Sequence, residues 1–164
     1  MKITFLGTGT SQGIPVIGSN HPVCLSKNKK DKRLRVSVLI EWDNYTYVID
    51  CGPDFRQQML RANVSVIDGI LFTHEHADHT AGLDDIRPFF FKQGDIPIYA
   101  HKRVMSALER RFDYIFETEN KYPGAPSVKK IHIENKPFNL GNLTVIPING
   151  FHNTLQVFGF RFKD

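Results

Sequence analysis

Four candidate metal ligands, His74, His76, Asp78 and His79, fall within six consecutive residues of this chain, in the segment Thr73-His74-Glu75-His76-Ala77-Asp78-His79. His74 and His76 are two apart, so an extended backbone sends both imidazoles out from the same side. Asp78 and His79 are adjacent and reach that region only where the chain turns or starts a helix. Imidazole nitrogens and carboxylate oxygens are ligands that zinc, manganese and iron(II) accept. A polar surface loop could carry the same residues. Three of the chain's seven histidines in one short run weigh against that.

The flanking sequence supplies the elements such a site needs. Asp68 to Thr73 reads as a buried strand feeding the motif, and Ala81-Gly82-Leu83 opens a helical pattern running to Phe91, which Pro88 must start or kink. A fifth ligand should arrive from a distant strand end, because neighbours in sequence rarely surround an ion. His152 is the best placed, in the loop Asn149 to Asn153 after a strand over Leu143 to Ile148. A site that leaves one position for water, as catalytic zinc sites do, brings the pKa of that water to about 7.

Elsewhere, strands are expected over Lys2 to Leu6, Arg35 to Trp42, Tyr45 to Asp50, Ile96 to Ala100, Lys130 to Glu134 and Gln156 to Phe162. Helices are expected from Asp54 to Ala62 and from His101 to Phe112, the latter with Val104, Leu108 and Phe112 on one face. Tyr114 to Val128, with Pro123-Gly124 and Pro126, reads as an irregular loop. Many strands with interspersed helices make this an α/β layered domain.

Bulk properties narrow the classes. The 164 residues suit one domain, and no apolar run approaches the length of a membrane span. Cys24 and Cys51 are the only cysteines, too few for a disulfide framework, which points to the cytoplasm. The net charge of +4 favours anionic substrates. Much of it lies in Lys27 to Arg35 (KNKKDKRLR), either a solvated loop or a positive rim for phosphate. No aromatic residues interleave with those cations, so base stacking is not expected there.

The His-x-His-x-Asp-His spacing of residues 74–79 resembles the signature of the metallo-β-lactamase-fold hydrolases. Met1 to Gly18 is similar to the opening of that family's phosphodiesterase branch, and Val48-Ile49-Asp50-Cys51-Gly52 to its strand-end Asp. Gly82-Leu83-Asp84-Asp85-Ile86-Arg87 resembles the branch containing the cyclic-phosphate phosphodiesterase of the carbon–phosphorus lyase pathway.

The resemblance implies an αββα sandwich. His74, His76 and His152 would hold one Zn²⁺, with Asp78 and His79 starting a second site and serving catalysis; Mn²⁺ and Fe²⁺ are alternatives. Asp50 would orient the metal loop, and Glu75, on the opposite face, would point to solvent or support a ligand. The family's bridging Asp and last His have no evident counterpart, since Asp164 follows the last strand too soon. We therefore expect a single domain, residues 1–164, lacking its final strands and helices.

The implied function is hydrolysis of a small or cyclic phosphate ester by a water ionised on the metal. The rivals are tRNA 3′-end processing, with nucleic acid a less favoured partner, and an impaired fragment that self-associates, a homodimer for instance. Two weaker signals carry less. Gly7 to Gly13 lacks the Gly-Lys-Ser/Thr ending of a phosphate-binding loop, and His21 with Cys24 is too small a set for a structural zinc.

Overall fold

In the computed structural model, residues 1–163 are described, so the expectation resting on Asp164 lies outside them. Six strands form one sheet in sequence order: β1 Lys2–Gly7, β2 Ser37–Trp42, β3 Tyr45–Ile49, β4 Gly69–Leu71, β5 Ile96–Ala100 and β6 Val128–His132. The first three pair antiparallel and the last three add in parallel. A second, antiparallel sheet comprises β7 Phe138–Leu140, β8 Leu143–His152 and β9 Leu155–Lys163. The helices are α1 Pro22–Leu25, α2 Phe55–Ala62, α3 Ala77–Thr80, α4 Arg87–Gln93, α5 Lys102–Arg111 and α6 Asp113–Phe116.

Strand alternation sorts side chains into two cores. Leu39, Val48, Ile70, Phe72, Ile98 and Ala100 face α2, α4 and α5 together with Phe55, Met59, Phe89 and Leu108. Ile40, Trp42, Tyr47, Leu71 and Tyr99 face the second sheet and its Leu140, Leu143, Val145 and Phe158. β4 is buried on both sides, as a central parallel strand must be, which makes it the rigid stalk of the metal motif. The inter-sheet core is aromatic: Trp42 stacks on Tyr47 at 5.3 Å, Tyr99 stacks on Phe138 at 5.8 Å, and the Trp42 indole donates to Asn142 Oδ1. Its N–H therefore reaches a partner despite burial.

The described residues form helix, sheet and sheet layers, three of the four in an αββα sandwich. The helix expected over Gly82 to Phe91 is divided, with a 3₁₀ turn at Leu83–Ile86 before α4. Pro88 sits in the first turn of α4, where its missing N–H costs nothing. β6 begins two residues earlier than expected, and the three-residue β7 carries too short a pattern to be seen in advance. β8 does not stop at Ile148. It pairs with β9 as far as His152 opposite Leu155, so His152 ends a strand instead of lying in a loop. Both cysteines are free and buried. Among the described residues, no helix is long and apolar enough to cross a membrane.

Candidate metal centre

β4 ends at Leu71, the chain bends at Thr73, and His76 is extended at φ −60°, ψ 150° before α3 starts at Ala77. That helical start swings Asp78 and His79 back toward the first two histidines. The ring centres of His74 and His76 lie 4.7 Å apart, and those of His74 and His79 lie 4.1 Å apart. From the β8–β9 hairpin, where Asn153 turns with φ 57°, the His152 ring comes within 6.0 Å of His74 and 5.4 Å of His76. Metal–nitrogen bonds of about 2.0–2.1 Å in tetrahedral array set three ligating rings ~5 Å apart centre to centre. The three observed spacings bracket that value, with rings inclined at 70–77° to one another, none of them stacked.

Among the described residues, no trio of His, Cys, Asp or Glu side chains is drawn in to the spacing of a closed metal cluster. Ring placement and closure report different things. Backbone fixes where the rings stand, whereas small χ rotations set the final distance of each nitrogen.

The hydrogen bonds behind the rings select which nitrogens are free. Asp50, 3% exposed, accepts from the Thr73 amide (2.9 Å), from Thr73 Oγ1 (2.8 Å) and pairs with His79 Nδ1 (2.7 Å). The Thr73 hydroxyl has one proton and gives it to Asp50. It can then only accept from His74 Nδ1 at 2.9 Å, which leaves His74 Nε2 with its lone pair unclaimed. His79 is oriented in the same way: Asp50 holds Nδ1, and Nε2 lies 3.3 Å from Asp78 Oδ2. A carboxylate behind an imidazole is the arrangement that fixes tautomer and ring direction at metal sites. Asp50 thus does the orienting expected of it, from a left-handed backbone position at φ 62°.

Burial pulls the His74 pKa down to about 4, keeping the ring neutral and able to ligate in weak acid. Burial also works against charge on His79. The Asp50 hydrogen bond and the charges of Asp50 and Asp78 outweigh it, so its pKa is raised.

Two further residues that no local pattern announced, Arg103 and Arg111, belong to the site. Glu75 is half-buried and pairs with the Arg103 guanidinium, which also donates to the Gln156 carbonyl at 2.5 Å. Arg103 sits in the first turn of α5, whose N-cap His101 accepts from the Arg103 amide. Arg111 donates to the Glu75 carbonyl and to Thr80 Oγ1. Phe158 N completes the clasp by donating to Thr73 O at 3.0 Å. The hairpin bearing His152 is therefore fastened to the metal motif by one backbone bond and one arginine.

The surrounding cleft is lined by His74, His79 and His152 with Val36, Val38 and Val157, and has a volume of about 300 Å³. The donor set, imidazoles with one carboxylate and an apolar wall, fits a divalent ion of the zinc type.

Comparison with known proteins places this geometry in context. Residues 45–164 match the beta-lactamase superfamily domain. The chain is 37% identical to a diphosphatase of the PhnP family whose crystal structure superposes with a TM-score of 0.89, covering 98% of this chain and 61% of that one. It is 40% identical over its full length to an octanoyltransferase of Porphyromonas gingivalis, of which it spans 33%. It is 33% identical to a ribonuclease Z of Methanococcus maripaludis, over 66% of this chain and 32% of that protein. The chain thus spans about a third of each of those two relatives and under two thirds of the diphosphatase.

Proposed function

The chain belongs to the metallo-β-lactamase-fold family, and from that membership we propose that it is a metal-dependent phosphodiesterase acting on small or cyclic phosphate esters. The observation that carries this is the convergence of His74, His76 and His152 from two different sheets. The likeness to a diphosphatase supports phosphorus over carbon as the atom attacked.

His74, His76 and His152 would hold a first Zn²⁺, and Asp78 with His79 would contribute to a second position; Mn²⁺ or Fe²⁺ suits the same donors. When bound, the ion supplies Lewis acidity toward a phosphoryl oxygen and acidifies a water at neutral pH. The chain's own part is positional. Asp50 fixes His79 and, through the Thr73 hydroxyl, His74. Asp78 Oδ2, 3.3 Å from His79 Nε2, is placed to hold a proton or a ligand water in register. Val36, Val38 and Val157 give the cleft an apolar wall.

Replacing His76 by Ala, with zinc content and turnover of a chromogenic phosphodiester measured together, tests the assignment. We expect loss of about one ion per chain and of nearly all turnover. Full turnover by the variant would refute it.

The second reading is tRNA 3′-end processing, favoured by the similarity to ribonuclease Z. Cleavage of precursor tRNA faster than of the small diester would select it. The octanoyl-transfer chemistry named for the longer relative is not carried over, because two thirds of that protein lies beyond the match.

A further inference from the structure

At the same end of the six-stranded sheet as the metal centre, two clefts of about 330 and about 680 Å³ share Lys29, Lys32 and Arg61 as a common wall. Lys30 and Arg33 add to the smaller and Arg56 to the larger, and no carboxylate lines either. Among the described residues, none of the six cations makes an ion pair, whereas nearby Arg35 is paired with Asp54.

Three remote segments build this wall: the basic run before β2, the exposed face of α2 and the end of β1. A solvated loop would not need that convergence. Two of the cations are also held in place. The Arg61 guanidinium donates to the Leu6 carbonyl, and Lys32 Nζ to the Cys24 carbonyl at 3.1 Å. Fixed, mutually repelling cations are stabilised by an anion that spans them.

The fold adds what the sequence run lacks. Phe5, 69% exposed, lines the smaller cleft beside Lys29, Lys30 and Arg33. An exposed aromatic ring next to a cation cluster suits a planar base attached to several phosphates. A nucleic-acid strand would want successive stacking platforms, and here there is one.

We propose that these clefts bind a nucleoside polyphosphate, with its phosphates across Lys29, Lys32 and Arg61 and its base on Phe5. The site shares no lining residue with the metal cleft, so it stands whether or not the hydrolytic assignment does.

The test is calorimetry of ATP, inorganic triphosphate and a short single-stranded RNA in EDTA, where metal-held phosphate does not contribute. Wild-type protein is compared with the Lys29→Ala/Lys30→Ala double variant and with Phe5→Ala, all checked for unchanged melting. Loss of charge-assisted contacts should weaken ATP by about tenfold or more in the lysine variant. Phe5→Ala should weaken ATP while leaving triphosphate unchanged. No ATP binding by the wild type, or unaltered ATP affinity in the lysine variant, would overturn the site. Triphosphate binding as tightly as ATP, or RNA binding more tightly than ATP, would overturn the nucleotide.

Discussion

Arg103 is the side chain that ties together the two halves of the candidate metal centre. Its guanidinium bridges Glu75, inside the motif, and the carbonyl of Gln156, which lies on β9 four residues past His152. Removing it leaves Glu75 half-buried without its cation, a loss of about 1–3 kcal/mol for a charged hydrogen bond. If Arg103 acts by holding His152 in place, Arg103→Ala should weaken zinc affinity and change the cobalt(II) absorption bands. In a His152→Ala background the same substitution should have little further effect on affinity. Equal losses in both backgrounds would mark Arg103 as a stabiliser only. Nothing in the sequence advertised this residue, because an arginine 28 positions from its glutamate on an ordinary amphipathic helix has no local signature. The five candidate ligands were legible because their types and spacing are themselves chemical, and the structure brings their rings and the Asp78 carboxylate near one another.

At the scale of elements, the metal motif is a loop clamped onto its neighbour by close backbone approach. Cys51 N donates to His79 O at 2.8 Å, and Gly82 N to Cys51 O at 2.9 Å. A Cβ on Gly52 would collide with the Asp78 carbonyl, and one on Gly82 with the Gly52 carbonyl. These are backbone obstacles that no rotamer can relieve. Gly52→Ala should therefore displace Asp78 and His79, lowering melting temperature and the occupancy of the second metal position together. An unchanged melt with two ions retained would show that the loop has slack the contacts do not suggest. The strands around this clamp were readable as short runs of β-branched, aromatic and other apolar residues. The end of β8 was not, because Asn149-Gly150 mimics a turn, yet β9 continues the ladder past it. Pro88 was recognised as a disturbance, and only packing decides that it begins a helix.

For the whole molecule, burial of the histidines makes stability depend on pH in the metal-stripped state. Unfolded, His74 takes up a proton near 6.5; folded, burial holds it neutral to about 4. The unfolded chain binds more protons across that window, so stability rises with pH from about 4 to 6.5 and is lost on acidification. His79 acts in the opposite sense. Burial opposes its charge, but Asp50 and Asp78 raise its pKa, so its contribution holds in acid and fades as pH climbs through the raised value. We expect His74 to account for on the order of 2 kcal/mol between pH 6.5 and 4. His74→Asn, followed by thermal melts in EDTA, should flatten that acid limb; an unaltered slope would mean the ring is not desolvated as described.

The Cys51 thiol faces away from the candidate ligands in the core, yet its backbone is the rail on which the metal loop rests, and its side chain is fully enclosed. Burial pushes its thiol well above the ordinary range, so in the closed molecule it is neither ionised nor reachable. A sulfhydryl reagent can meet it only in molecules whose loop has momentarily lifted away. One inert atom in the interior thereby keeps time for the opening and shutting of everything the histidines assemble.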